Sequence, residues 1–183
     1  MRWSAWLVLA LGCAGSTSPP TDSSSQLEGC GGSVGVLPGT GAEMYVPLDD
    51  LDPVIMVHGP QGGWHVETAA FVTGSTAEVS ILPTIVRRSD GVQFAGEQQE
   101  QFIALAEYDD DGCSGSFFSV RAFMDDTFGE LDAYTNPQDV ICGLAGEILT
   151  LTVHVMDLNT LVSGEASVDV TATLDPNDVQ ICP

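Results

Sequence analysis

Strict alternation of apolar and polar side chains in two C-terminal segments is the feature that most constrains the fold of this chain. The segments cover residues 146–156 and 165–174. Their alternating apolar residues are Leu149, Leu151, Val153, Val155, Val168, Val170, Ala172 and Leu174. A period of two puts these side chains on one face of a β-strand, so the pattern predicts a sheet with one buried face and one wet face.

Short runs rich in β-branched and aromatic residues extend the prediction of strands to the rest of the chain, and turn signals separate them. These runs lie at 43–47, 54–58, 64–73, 78–87, 99–108 and 116–124. Pro83 cannot donate to a ladder, so we expect strand 78–87 at a sheet edge or a bulge. About eight short strands with few helix signals predict an all-β fold. The expected architecture is a single antiparallel β-sandwich, immunoglobulin-like in the loose sense, with a jelly roll or a small β-barrel as the alternative.

The N-terminus has the features of a lipoprotein signal peptide. Residues 1–12 combine Arg2 with an apolar run too short to span a bilayer, as secretory leaders do. The run ends in Ala10-Leu11-Gly12-Cys13, which resembles the bacterial lipobox. We therefore expect lipidation of Cys13, with a thioether-linked diacylglycerol on its sulfur and with palmitate; an ordinary cleaved leader with an incidental cysteine is the alternative.

The segment after Cys13 predicts a spacer and a location. Residues 13–29 are rich in serine and proline and have little to bury, so we expect a lipidated, flexible tether ahead of a β-sandwich domain at 30–183. Residue 14 is alanine and not aspartate, which by resemblance to enterobacterial sorting predicts the outer membrane.

Charge excludes some classes of partner. The chain has 26 acidic residues against 4 basic ones, all arginine, and a formal net charge of −22. Such a surface repels phosphate backbones, so we expect no nucleic-acid partner. It also repels anionic lipid, which leaves the lipid anchor as the only membrane contact. The expected partner is an envelope or extracellular protein or glycan, and no motif calls for a cofactor.

Four cysteines remain after Cys13, and an even number in an exported chain predicts two disulfides. Three connectivities are open. Cys30 and Cys182 lie at the two ends of the expected domain, so we predict that they pair and clamp the termini. Cys113 and Cys142 each precede a predicted strand and form the second predicted pair.

The densest turn signal comes between two predicted strands. It consists of Gly59, Pro60, Gln61, Gly62, Gly63 and Trp64. Glycine allows backbone angles closed to other residues, and proline fixes its own, so we expect a tight corner. One interpretation is structural, with Trp64 filling the corner; the other is a ligand surface with Trp64 as a stacking face. The structural interpretation predicts that Trp64→Ala destabilises the fold strongly, whereas His58→Ala and His65→Ala do little.

The same stretch carries a resemblance. Gly59-Pro60-Gln61-Gly62-Gly63-Trp64-His65-Val66 resembles a motif of uncharacterised secreted lipoproteins of myxobacteria and related bacteria. The resemblance covers about ten residues, and otherwise extends only to the general plan of a lipoprotein leader followed by a β-rich domain. It implies a location and an architecture, and no mechanism.

Three functions are consistent with these residues. The first is a non-enzymatic binding or structural domain of the envelope. The second is a metal- or calcium-dependent module that uses His58, His65 and Glu67, or acidic turns such as Asp175-Pro176-Asn177-Asp178. For these turns we favour solvated surface over calcium. The third is an exported hydrolase with dispersed catalytic residues. We expect the first.

Overall fold

The computed structural model describes residues 30, 32–60, 62–96, 100–106, 109, 112–124 and 136–182. The predicted leader and tether, with Cys13, lie outside these residues. Within the described ranges, no helix is long and apolar enough to cross a membrane.

Ten strands and one short helix make up the described fold, so the prediction of an all-β fold is confirmed. The elements are β1 (Gly35–Thr40), β2 (Val46–Pro47), β3 (Pro53–His58), β4 (Trp64–Thr73), β5 (Glu78–Arg87), β6 (Gln93–Ala95), β7 (Gln101–Ala104), β8 (Ser114–Phe123), α1 (Pro137–Leu144), β9 (Ile148–Asp157) and β10 (Ser163–Leu174).

The strands form one continuous mixed sheet in the order β2-β1-β4-β3-β10-β9-β5-β6, with β7 paired to β5 and β8 paired to β4. All the pairings among these strands are antiparallel except the one between β3 and β10. The prediction of a wholly antiparallel sandwich is therefore wrong at this pair. Strand β3 is shared, because residues 53–56 pair with β10 whereas Val57 and His58 pair with β4.

A single hydrophobic core lies between the part of the sheet built on β4 and β8 and the part built on β5, β9 and β10. The four alternating apolar residues of β9, Leu149, Leu151, Val153 and Val155, are at most 1% exposed, as their period predicts. Val66 and Phe117 face them from the other layer as members of the same core. The sheet thus folds over itself into two layers that bury a shared interior.

Pro83 does not make β5 an edge strand, because β5 pairs with β9 on one side and with β7 and β6 on the other. Pairing with β7 ends at Ile81, and pairing with β6 begins at Ile85. Pro83 lies in the interval between them. β5 can therefore be a central strand. On the side away from β9, no strand pairs with residue 83, so none needs the N–H that proline lacks.

Three elements were not predicted. Strands β1 and β6 are short, and glycine and proline interrupt β1. Helix α1 has a start signal in the sequence: the Asn136 side chain accepts from the N–H of Gln138, and Pro137 opens the first turn. Its eight residues are too few for helical periodicity to stand out against strands.

The number of disulfides is as predicted, but the predicted pairing is wrong. The bonds join Cys30 to Cys113 and Cys142 to Cys182. Two strands that flank β4 explain the first bond, since Gly35 of β1 and Ser114 of β8 both pair with Thr73. Cys30 and Cys113 each precede one of those strands and so lie at the same end of the sheet. The chain leaves β10 toward the opposite end, where Cys182 bonds to helix α1.

Candidate functional site

The glycine-rich stretch forms the corner between β3 and β4, as predicted. Gly62 and Gly63 have φ of +81° and +83°, a region that other residues adopt only under strain. The N–H of Gly59 donates to the carbonyl of Gly63 at 3.0 Å and closes the turn. Gln61 belongs to the predicted set but lies outside the described residues.

The side chain of Trp64 lies in the core at the base of this corner, with 7% of its surface exposed. Its indole Nε1–H donates to Oδ2 of Asp178 at 2.7 Å. Its ring stacks against the imidazole of His58, with 4.6 Å between the ring centroids. Trp64 is therefore held by apolar packing, a ring contact and a hydrogen bond to a carboxylate.

The turn 175–178 secures the corner from the far end of the chain. Asp178 is 1% exposed, and its other oxygen, Oδ1, accepts from Nδ1 of His58 at 2.8 Å. Asp175 accepts from the backbone N–H groups of Asn177 and His58, and these two bonds hold the pKa of Asp175 below its usual value. Our preference for a solvated turn is therefore wrong at 175–178, because both carboxylates are buried by the corner that they bind.

A second set of side chains lies on the face of β4 that points away from Val66. His65 and Glu67 share this face, as their spacing predicts. The register of the β4–β8 ladder places Phe123 opposite His65 and Arg121 opposite Glu67. Two cross-strand pairs from different parts of the sequence thus form one patch beside the corner.

The corner and this patch enclose a recess of about 560 Å³. The residues that line it are Val57, His58, Gly59, Pro60, Gly62, Gly63, His65, Glu67, Arg121 and Phe123. This volume lies within the ~300–1,000 Å³ of small-molecule sites. Apolar groups and a few polar side chains share the lining, which is also typical of such sites.

Glu67 is the electrostatic centre of the recess. Its Oε1 atom accepts from Nε2 of His65 at 3.1 Å and from Nε of Arg121 at 3.4 Å. Its Oε2 atom is shielded from solvent and has no hydrogen-bond partner among the described residues. A buried carboxylate oxygen without a donor is costly, so a ligand in the recess that offers a donor would favour rotation of the Glu67 carboxylate toward it.

The recess does not bring together the three residues of the alternative metal site, His58, His65 and Glu67. His65 contacts Glu67, but Nδ1 of His58 is bonded to Asp178. In the part of the chain that the structure describes, no group of three or more histidine, cysteine, aspartate or glutamate side chains could hold a metal ion.

One feature of the recess has the form of a catalytic pair. Asp178 orients His58 through Nδ1, and since a carboxylate only accepts, the lone pair of the neutral imidazole lies on Nε2. A base oriented in this way activates a nucleophile in many hydrolases. The described lining residues include no serine, threonine, cysteine or lysine that could serve as that nucleophile.

Sequence patterns identified only the half of this site that is local in sequence. They gave the corner, Trp64 and the shared face of His65 and Glu67. They missed Arg121 and Phe123, and they considered Asp178 only as part of an acidic turn that could bind calcium. The available signal for Arg121 was its rarity, since the chain has only 4 basic residues. The buried role of Asp178 had no local signal, because its partner Trp64 is 114 positions away.

Neither protein-family models nor curated proteins give a match to this chain. Among solved structures, the CooA pilin subunit from enterotoxigenic Escherichia coli is similar, with 13% sequence identity and a TM-score of 0.36. The similarity covers 79% of this chain and 100% of the pilin chain.

Proposed function

We propose that this protein is a non-enzymatic binding protein of the cell envelope, anchored to the outer membrane by a lipid on Cys13, and that the recess beside the corner is its binding site. The observation that carries the proposal is Glu67, whose Oε2 atom is buried without a partner in a recess of ligand size. Leaving such a group unpaired costs about 1–3 kcal/mol. A ligand that donates the missing hydrogen bond would remove this cost on binding, which is what we expect of a binding site.

The position of the recess supports presentation away from the membrane. The tether enters at Cys30, which is bonded to Cys113 directly before β8. The recess lies at the other end of β8, beside Phe123. A strand of this length spans roughly 25–30 Å. A lipid at the start of the tether would therefore hold one end of the domain and leave the recess at the other.

A binding role fits the residues of the recess better than a hydrolytic one. His58 and Asp178 provide an oriented base, but the described lining supplies no nucleophile for it. The contacts of Glu67 with His65 and with Arg121 form a fixed hydrogen-bonding surface. These residues do not favour the metal-dependent alternative, because a metal ion needs several ligands that converge on one point.

Retention of envelope material on the immobilised full chain tests this proposal, with two matched pairs of variants. Arg121→Ala and Phe123→Ala change the recess. Arg88→Ala and Phe102→Ala remove the same residue types elsewhere, where Arg88 pairs with Asp169 and Phe102 is 68% exposed on β7. Protein and polysaccharide fractions of an envelope extract are passed over each form separately. We expect the parent and the two control variants to retain a fraction that both recess variants lose.

Two outcomes would contradict the proposed function. One is that no fraction is retained by the parent. The other is that the recess variants and the control variants retain it equally, which would place binding on another surface. A thermal melt of every variant excludes loss of the fold as the cause.

A further inference from the structure

The hydrogen-bonding groups of the recess limit the chemical class of ligand that it can take. Oε2 of Glu67 requires a donor, and Nε2 of His58 carries a lone pair and accepts in the neutral ring. Arg121 is 54% exposed, and its guanidinium carries N–H groups beyond the one bonded to Glu67. A matching ligand must therefore donate and accept at neighbouring positions.

Charged ligands fit this arrangement poorly. A phosphate or sulfate only accepts, so it would leave Oε2 of Glu67 unpaired and meet its negative charge. The net charge of −22 opposes the approach of any anion. An ammonium group only donates, and it would meet the charge of Arg121. Hydroxyl groups both donate and accept, and they carry no charge.

The apolar part of the lining adds a second condition. Phe123 is 41% exposed and tilts against His65 with 5.8 Å between ring centroids. Val57 and Pro60 line the recess as well. A ligand that fits must offer an apolar face to this ring together with hydroxyls at its edge. A sugar ring has both, because its C–H groups form faces and its hydroxyls project from the rim.

We infer that the recess binds a neutral saccharide, with the Glu67 carboxylate turned toward the recess and accepting from one ring hydroxyl, Arg121 donating to the adjacent hydroxyl and Phe123 packing against the face of the sugar. The inference rests on the proposed function and names its ligand class. Each polar contact joins a charged protein group to a neutral hydroxyl, and hydrogen bonds of this kind are stronger than those between two neutral groups. Loss of one should therefore weaken binding by about tenfold or more.

Equilibrium titration with neutral oligosaccharides tests the inference. The full chain is kept in a detergent without a sugar head group, since such a head group would itself compete. Trp64 is the only tryptophan after residue 12 and stacks on His58 at the recess, so its fluorescence reports occupancy once the leader is removed. The panel holds neutral hexose and N-acetylhexosamine oligomers, and sulfated forms of the same oligomers as the charged comparison.

We expect at least one neutral oligomer to bind, and its sulfated form to bind about tenfold more weakly or not at all. Glu67→Gln and Arg121→Ala should each weaken binding by about tenfold, whereas Arg88→Ala should leave it unchanged. Phe123→Ala should weaken binding and Phe123→Trp should retain it, because only the second keeps an aromatic face. Phe102→Ala is the control for the aromatic substitution.

Three results would overturn the inference: no neutral oligomer binds, the sulfated forms bind more tightly, or Glu67→Gln and Arg121→Ala bind like the parent. The proposed function can survive this failure. If Arg121→Ala still abolishes retention of an envelope protein fraction, the recess is a binding site for a ligand of another class. If Arg121→Ala retains every fraction, both proposals fail.

Discussion

Replacing Trp64 with alanine removes three contacts that hold the corner between β3 and β4. The indole is 7% exposed, stacks on His58, and donates to Asp178 at 2.7 Å. Truncation of a buried tryptophan costs about 3–5 kcal/mol through lost transfer energy and the cavity left behind. Asp178 is 1% exposed and loses one of its two side-chain donors, which adds about 1–2 kcal/mol. The expected total is about 4–7 kcal/mol.

That loss is close to the whole stability of a marginal domain, so a milder variant is needed beside it. Trp64→Phe keeps an aromatic ring in the corner but cannot donate to Asp178. We expect a cost of about 1–3 kcal/mol for Trp64→Phe, mostly from the unpaired carboxylate oxygen. Combining it with Asp178→Asn in a double-mutant cycle should give a coupling of about 1–2 kcal/mol, because the two residues share the bond under test.

Urea unfolding of the full chain followed by far-ultraviolet circular dichroism measures these differences without relying on Trp64 fluorescence. In thermal melts, about 4–7 kcal/mol corresponds to a fall in Tm of roughly 10–25 °C for a domain of this size. Phe102→Ala serves as the control, since an exposed phenylalanine should change stability by less than about 0.5 kcal/mol. If Trp64→Ala melts together with Phe102→Ala, the indole is neither buried nor bonded, and the account of the corner is wrong.

The other predictions concern the anchor, the disulfides and pH. Cys13→Ser should move the protein from the membrane fraction to the soluble fraction of a diderm host or stall its export; unchanged fractionation would exclude a lipid at Cys13. Peptide mapping without reduction should recover Cys30 linked to Cys113 and Cys142 linked to Cys182, and a Cys30–Cys182 peptide would contradict the sheet topology. Asp157 is fully buried, and although burial alone would raise its pKa, backbone N–H groups of Thr76 and Thr160 lower the pKa to about 2, from 3.8. Because the folded value is the lower one, the carboxylate stabilises the fold by about 2 kcal/mol above pH 4, and this is lost as pH falls toward 2. Asp157→Asn should flatten the fall in stability measured by urea titration between pH 4 and pH 2, and an unchanged slope would refute that assignment.

Local patterns predicted the strands well because their cause is local. The period of two that places Leu151 and Val153 in the core is written in the sequence of β9, and the structure leaves both at most 1% exposed. The same rule placed His65 and Glu67 on one face of β4. Sequence spacing also located the corner, since Gly62 and Gly63 both adopt left-handed backbone. Each of these inferences needs only the geometry of a single strand or turn.

The remaining features depend on which strands become neighbours, and a single sequence does not contain that information locally. The register that sets Arg121 opposite Glu67 joins strands 54 positions apart. The disulfide prediction failed for the same reason, because Cys30 and Cys113 meet only through the strands on either side of β4.

Asp178 shows how a contact between distant parts of the sequence changes the expected effect of a substitution on stability. From sequence alone, His58→Ala should do little. In the structure His58 donates to a carboxylate that is 1% exposed, so we expect its removal to cost about 1–3 kcal/mol. His65→Ala leaves Glu67 with Arg121 as a donor and should cost less. Urea unfolding of these two variants distinguishes the two expectations.

Mapping of the bound surface by amide NMR tests most directly that the recess is the binding site. The isotope-labelled full chain is titrated with the envelope fraction that the parent protein retains. We expect shift changes confined to residues 57–67 and 121–123, which border Glu67, with the amides around Phe102 and Arg88 unchanged. Changes centred on Phe102 or Arg88, with the amides of His65, Glu67 and Phe123 unmoved, would contradict it.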